Sequence, residues 1–167
     1  MCGITGQLNF NNKTVDRAIF KKMNNLIIHR GPDDFGYYFN NNLALGNVRL
    51  SIFDTSDNGH MPMKSKDGRF IISYNGEIYN WKEIRKDLKF NNWRSETDTE
   101  TVLYSYIEKG PECLKLFRGM FSISIWDNKK KEIFIARDRE GIKPLYYFKS
   151  SEKIIFSSEI KSIIRSG

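Results

Sequence analysis

The sequence predicts a layered α+β domain in which sheets are covered by helices. Two observations predict it. Strand-like apolar runs cluster toward both ends of the chain, with capped helices between them. They also lack the regular strand–helix alternation of a parallel nucleotide-binding sheet. The 167 residues suffice for one ordinary hydrophobic core and are too few for two large ones. No internal repeat or interdomain linker divides them, so residues 1–167 read as one domain.

Residues Cys2 to Phe10 read as an opening strand, with Gly3 and Gly6 permitting close backbone approach. Ile19, Met23, Leu26 and Ile27 recur at helical spacing and predict a helix over 15–28. His29-Arg30-Gly31-Pro32-Asp33 breaks it, because proline cannot continue the hydrogen-bond ladder and restricts the residue before it. Strands follow at 36–39 and 43–50, then a long loop at 54–68 carrying Gly59, Pro62 and Gly68. A strand over 69–74 is expected to end on Asn75-Gly76, a pair suited to a tight turn. Asn80 is placed to cap a helix over 81–88, with Glu83 three residues on. Thr97 and Glu100 form a capping-box pattern for a helix over 98–109, whose Val102, Leu103, Tyr106 and Ile107 share an inward face. Gly110 and Pro111 stop it. Phe121, Ile123 and Ile125 alternate with Ser122, Ser124 and Trp126, and 127–131 forms a polar turn. Strands at 133–136, 145–148 and 154–157 and a short helix at 160–164 complete the chain.

Composition excludes several classes. The 40% hydrophobic and 28% charged content is that of a soluble globular chain, and no apolar run is long enough to cross a bilayer. The opening residues lack the basic flank and apolar stretch of a secretory signal, and two cysteines do not make a disulfide framework; both favour the cytoplasm. The formal charge of +7 comes from Lys and Arg interspersed with Asp and Glu, without a nucleic-acid reader motif, so no nucleic-acid partner is expected. No phosphate-binding glycine loop is present, His29 and His60 are isolated, and neither cysteine has a ligand at zinc spacing. Neither cofactor nor metal is therefore expected for this domain.

Cys2 stands out by position. Methionine is readily trimmed before a small residue, which would leave a chain beginning with a thiol and a free α-amine. An α-amine titrates near pH 7.7–8.0 and can accept the thiol proton, giving nucleophile and base in one residue. Position alone leaves open a second reading, a small buried hydrophobe. Locally, Asn75-Gly76 also reads as a hairpin turn, Arg49 as an exposed strand arginine, and Asp98 as an acidic first-turn residue favoured by the helix dipole.

Seven segments then occur in order: Met1-Cys2-Gly3-Ile4, His29-Arg30-Gly31-Pro32-Asp33, Arg49-Leu50-Ser51-Ile52, Asn75-Gly76-Glu77-Ile78-Tyr79-Asn80, Asp98-Thr99-Glu100, residues 137–147 from Arg137-Asp138-Arg139 through Lys143-Pro144, and Ser158-Glu159-Ile160-Lys161. Together they resemble the class II glutamine amidotransferase domain of glutamine-hydrolysing asparagine synthetases, from Cys2 to about Lys161. The resemblance implies an N-terminal-nucleophile hydrolase fold, a four-layer αββα sandwich of two antiparallel sheets between helices. It implies hydrolysis of L-glutamine through a thioester on Cys2, with an oxyanion held by Asn75 and the Gly76 N–H. Arg49 would bind the substrate α-carboxylate, and Asp98, with Glu77 secondary, the α-ammonium.

Arg30, Asp33 and the Arg137-Asp138-Arg139 cluster read as support for the site. Lys143 has no local sign of a catalytic lysine, Cys113 reads as packing in a short helix, and His29 as structural. In the family the ammonia passes to an ATP-pyrophosphatase-type synthetase domain, so ATP and magnesium are implied only for such a partner. Three departures bear on loop packing, domain docking and coupling to it: Asn47-Val48 precede Arg49 where His-Arg is common, Met61 stands where glutamine is usual, and Glu140 replaces an aromatic. Two other readings stay open, an N-terminal-cysteine hydrolase of another small amide and a non-catalytic module that keeps the fold.

Overall fold

A computed structural model describes residues 1–51 and 56–166. Along the chain run β1 (Gly3–Asn9), α1 (Arg17–Asn25), β2 (Asp34–Asn40), β3 (Leu43–Arg49), β4 (Met63–Lys64), β5 (Phe70–Ile78), α2 (Trp81–Asp87) and α3 (Asp98–Lys109). They are followed by β6 (Gly119–Asp127), β7 (Glu132–Arg137), β8 (Tyr146–Lys149), β9 (Lys153–Ser157) and α4 (Ile160–Ile164). The strands form two sheets, ordered β2-β3-β1-β9-β8 and β4-β5-β6-β7, whose neighbouring strands pair antiparallel.

Strand alternation explains the layering, because successive side chains leave a strand on opposite faces. Phe70, Ile72 and Tyr74 of β5 and Phe121, Ile123 and Ile125 of β6 pack with Trp81, Ile84, Val102 and Leu103 of α2 and α3. The opposite faces supply Ile71 and Trp126, which meet Ile4, Leu8, Leu43, Leu45 and Phe156 of the first sheet. That sheet's outer face contributes Ala44 and Ile155, which pack with Val15, Phe20 and Met23 at α1. The order is helices, sheet, sheet, helices, which is the four-layer arrangement expected. Burying one such side chain contributes about 1.5–3 kcal/mol. This favours keeping β6 buried on both faces even though its inter-sheet face is serine-rich: Ser122 and Ser124 are fully buried and donate to the carbonyls of Pro144 and Ser73.

Several local expectations are corrected. The first helix is shorter than 15–28. It starts after Asp16, whose Oδ1 accepts from the N–H groups of Ala18 at 2.8 Å and Ile19 at 2.9 Å, and a 3₁₀ turn at Ile28–Arg30 follows it. Its inward residues are Phe20, Met23 and Asn24, with Ile27 buried just beyond, while Ile19 and Leu26 are exposed. Asn75-Gly76 is not a turn. β5 continues through it to Ile78, because pairing with β6 places Asn75 opposite Ser122 and Gly76 opposite Phe121.

Asn80 begins α2 but makes no side-chain cap, because its amide bridges the Leu116 carbonyl and the Arg118 N–H. Thr97 likewise makes no side-chain cap. Glu100 reaches past it to the N–H groups of Ser95 at 2.9 Å and Arg94. The expected loop contains β4 and a 3₁₀ turn at Asp57–Gly59; its residues 54–55, and Ile52 of the arginine motif, lie outside the described residues. Among the described residues no helix is long and apolar enough to cross a membrane.

Candidate active site

Cys2 immediately precedes β1, and several contacts fix it there. β1 enters between β3 and β9, with Gly3 opposite Val48 and Thr5 opposite Ser157. The Leu50 N–H points at Cys2 Sγ at 3.4 Å, and the thiol points at the Leu50 carbonyl at 3.7 Å. Arg30 Nε donates to the Cys2 carbonyl at 3.1 Å, and its Nη1 donates to Glu159 Oε1 at 3.2 Å. Glu159 also meets His29 and Lys161. Asp33 accepts from the Ser51 N–H at 2.8 Å. The expected supporting roles of Arg30, Asp33 and His29 correspond to these contacts. Gly31 is required here for space: a Cβ would lie 2.5 Å from the Arg49 backbone nitrogen.

One cleft gathers the six residues singled out from sequence: Cys2, Arg49, Asn75, Gly76, Glu77 and Asp98. Met1, Leu50, Met61, Tyr74, Thr97, Thr99 and Lys143 complete its lining. The strands position the polar groups. Arg49 ends β3 and is buried, with Nη1 donating to the Ser56 carbonyl at 3.4 Å. Its guanidinium passes so close to Gly59 that a Cβ there would lie 2.1 Å from Nη2. Asn75 is 1% exposed, yet its Nδ2 has no hydrogen-bond partner among the described residues.

Gly76 presents its backbone. Phe121, directly opposite, bonds Asp138 through both its N–H and its carbonyl, at 3.1 and 2.8 Å. In an antiparallel ladder that makes Gly76–Phe121 a non-hydrogen-bonded pair, so the Gly76 N–H points away from β6. On that side β4 pairs only with Ile71 and Ile72, leaving the N–H toward the cleft.

Asp98 opens α3 with no cation in ion-pair contact among the described residues. Its Oδ2 accepts from the Tyr74 hydroxyl at 2.7 Å and the Ile78 N–H at 2.8 Å. Burial pushes its carboxyl above the usual range, against those two hydrogen bonds, and nearby Glu77 adds to the rise. Burial likewise pushes the Cys2 thiol up, against the Leu50 contact and the positive charges of the chain terminus and Arg49. Burial thus favours the neutral thiol. Neither histidine lines the cleft: His29 bonds Glu159 and His60 bonds Asp34.

Sequence reasoning missed two polar contributors. Tyr74 falls at the end of the strand expected over 69–74; its hydroxyl buttresses Asp98 from the helix-facing side of β5. Lys143 carried a motif signal without a role, and the structure buries it in the cleft wall. Asp138 accepts from the N–H groups of Ile142 at 2.8 Å and Lys143 at 3.0 Å, and Arg137 Nε donates to the Lys143 carbonyl at 2.7 Å, so this turn delivers Lys143. Cys113 is buried in a 3₁₀ segment away from the cleft, its thiol pushed up to about 12 by burial. Among the described residues no three metal-ligating side chains converge.

Comparison with known proteins gives concordant matches. A family model described as glutamine amidotransferase domain matches residues 1–167. Asparagine synthetase [glutamine-hydrolyzing] 2 of Bacillus subtilis is 40% identical over 166 residues, covering 98% of this chain and 22% of the relative. Asparagine synthetase B [glutamine-hydrolyzing] of Escherichia coli is 34% identical over 167 residues, covering 98% and 30%. The chain spans about a third or less of the length of these relatives. The solved structure of the glutamine phosphoribosylpyrophosphate amidotransferase from B. subtilis with ADP and GMP superposes at a TM-score of 0.83. It covers 99% of this chain and 44% of that one at 16% identity, a likeness of fold.

Proposed function

The chain belongs to the glutamine amidotransferase domain family, and from that membership and the cleft around Cys2 we propose that it hydrolyses the side-chain amide of L-glutamine to glutamate and ammonia. The observation that carries the reading is the buried, unpartnered Nδ2 of Asn75. An unsatisfied buried donor costs about 1–3 kcal/mol, and such groups are rare enough to require an explanation. A cleft that receives a developing oxyanion supplies one.

In the proposed reaction Met1 has been removed and the Cys2 α-amine is free. The amine takes the thiol proton as Sγ attacks the amide carbon, and the carbonyl oxygen becomes an oxyanion between Asn75 Nδ2 and the Gly76 N–H. The tetrahedral species collapses with proton transfer to nitrogen; the C–N bond breaks, ammonia leaves and a γ-glutamyl thioester remains. Water adds to the thioester, the C–S bond breaks, and glutamate departs with the thiol restored. Arg49 grips the substrate α-carboxylate through its planar fork. Asp98, assisted by Glu77, takes the α-ammonium. A cationic and an anionic subsite sharing one cleft with the nucleophile favour a free amino acid over other small amides.

The ammonia is supplied to a synthetase partner, as the names of the relatives and the share of their length left over suggest; its ATP-pyrophosphatase type follows from the family resemblance alone. ATP and magnesium belong with that partner. The free thiols of Cys2 and Cys113 fit a reducing cytoplasm.

Intact-mass analysis joined to an ammonia-release assay tests the reading. Protein beginning at Cys2 releases ammonia from glutamine, and Cys2→Ala abolishes release while the protein stays folded. Equal turnover by that variant refutes the nucleophile assignment.

A further inference from the structure

Lys143 is 7% exposed and lines the cleft with Cys2 and Asn75. Its ammonium makes no hydrogen bond or ion pair with any described residue. The nearest acidic group in sequence, Asp138, is occupied: its carboxylate accepts the backbone N–H groups of Phe121, Ile142 and Lys143 itself. The stem is buried while Nζ keeps some accessible surface, as long charged side chains commonly do. An ammonium on a buried stem in a cleft wall, paired with no described residue, points to an anionic ligand.

Register shows which end of the ligand it faces. Asn75, Ser122 and Arg137 lie opposite one another across β5, β6 and β7 and so project from the same face, in steps of about 4.8 Å between neighbouring strands. The backbone at Lys143 and Pro144 is laid over that row, since Arg137 Nε donates to the Lys143 carbonyl and Ser122 Oγ to the Pro144 carbonyl. Lys143 therefore enters beside Asn75, between the sheets. Asp98 is held through Tyr74, whose ring lies on the opposite face of β5, and Arg49 comes from the end of β3.

We infer that Lys143 recognises the charged oxygen at the amide end of the ligand, namely the oxyanion of the tetrahedral species and the γ-carboxylate of the glutamate product. This rests on the glutamine reading and extends it, because the same ammonium stabilises the transition state and retains the product. A neutral amide offers less to an ammonium than a carboxylate does. Lys143 thus discriminates glutamate from glutamine, which differ only at that end.

The test uses the full chain in a Cys2→Ala background, so that ligands bind without turnover, with calorimetric titration of L-glutamate and L-glutamine. The parent binds glutamate at least as tightly as glutamine. Lys143→Gln and Lys143→Met weaken glutamate by about tenfold relative to glutamine, the loss of one charge-assisted contact. Lys143→Arg retains most of the preference. With Cys2 intact, Lys143→Gln lowers kcat more than it raises the glutamine KM, and glutamate inhibits it less. A folded Lys143→Gln or Lys143→Met protein with an unchanged glutamate-to-glutamine ratio overturns the assignment and leaves the glutamine reading standing. A parent that prefers glutamine tenfold overturns it without any variant. A parent that binds neither amino acid sinks both.

Discussion

Replacing Asn75 by leucine separates catalysis from stability. The two side chains are close in shape, so Asn75→Leu removes the amide donor without opening a cavity, and the backbone pairing with Ser122 is untouched. Removing one oxyanion donor costs about 2.7–4 kcal/mol, so kcat for ammonia release falls roughly 10²–10³-fold. Stability moves the other way. Asn75 Nδ2 is buried without a partner among the described residues, so its loss removes a desolvation penalty of about 1–3 kcal/mol. At this chain length each kcal/mol is worth about 2–4 °C in Tm. The expected variant is therefore nearly inactive and melts no lower than the parent, up to several degrees higher. Thermal melts and a coupled glutamate assay on the same sample read both quantities. A variant that loses activity together with several degrees of Tm shows that Asn75 is a structural residue, and the oxyanion argument fails.

Two further outcomes follow from buried carboxylates of opposite character. Asp98 has a folded pKa above its unfolded value, so its contribution to the stability of the empty protein is present below the unfolded pKa and lost as pH rises through the folded one. In the proposed reaction the ligand ammonium offsets the cost of charging it. Asp98→Asn raises the Tm of the empty protein and abolishes the Tm increase produced by glutamine; an undiminished glutamine shift removes Asp98 from the ammonium subsite. Asp127 is held well below the usual carboxylate range by Arg69 against a smaller effect of burial, with the N–H groups of Lys130 and Lys129 assisting. Its contribution is present above the unfolded pKa, about 3.9, and is lost as pH falls through the folded value. Urea midpoints measured between pH 6 and pH 2.5 fall less steeply for Asp127→Asn than for the parent, and parallel curves contradict the assignment.

What sequence made legible was whatever depends on local periodicity or on ordered motifs. Alternation in Phe121, Ile123 and Ile125 located β6, and the motif order brought six residues toward one site that the structure does gather in one cleft. What stayed hidden depends on partners distant in sequence. Asn75-Gly76 has the composition of a turn, and only the nine-residue pairing of β5 with β6 keeps it extended. Glu100 has capping-box spacing, but Ser95 and Arg94 fold back to take its carboxylate first. Ile19 fits the helical period as well as Phe20 does. Which of them turns inward depends on where Asp16 starts the helix and on the aromatic face of β2, where Phe20 meets Tyr37 and Phe39. Tyr74 carries no local sign of a site because its hydroxyl partner, Asp98, comes from α3, and Lys143 gains a place in the cleft only once its turn is laid over β6.

The arrangement around Cys2 separates recognition from chemistry. With Met1 attached, burial raises the thiol against two positive charges, so in the proposed reaction the proton leaves as the sulfur attacks. With Leu50 engaging the sulfur and Arg30 the carbonyl, the α-nitrogen is the one polar group of Cys2 not committed to those contacts. While Met1 is attached, that nitrogen is an amide and accepts no proton. Arg49 and Asp98 come from β3 and α3 and depend on neither Met1 nor the free terminus. In the proposed reaction, substrate affinity is therefore set by the folded core, while turnover is set by one cleavage at the chain's edge.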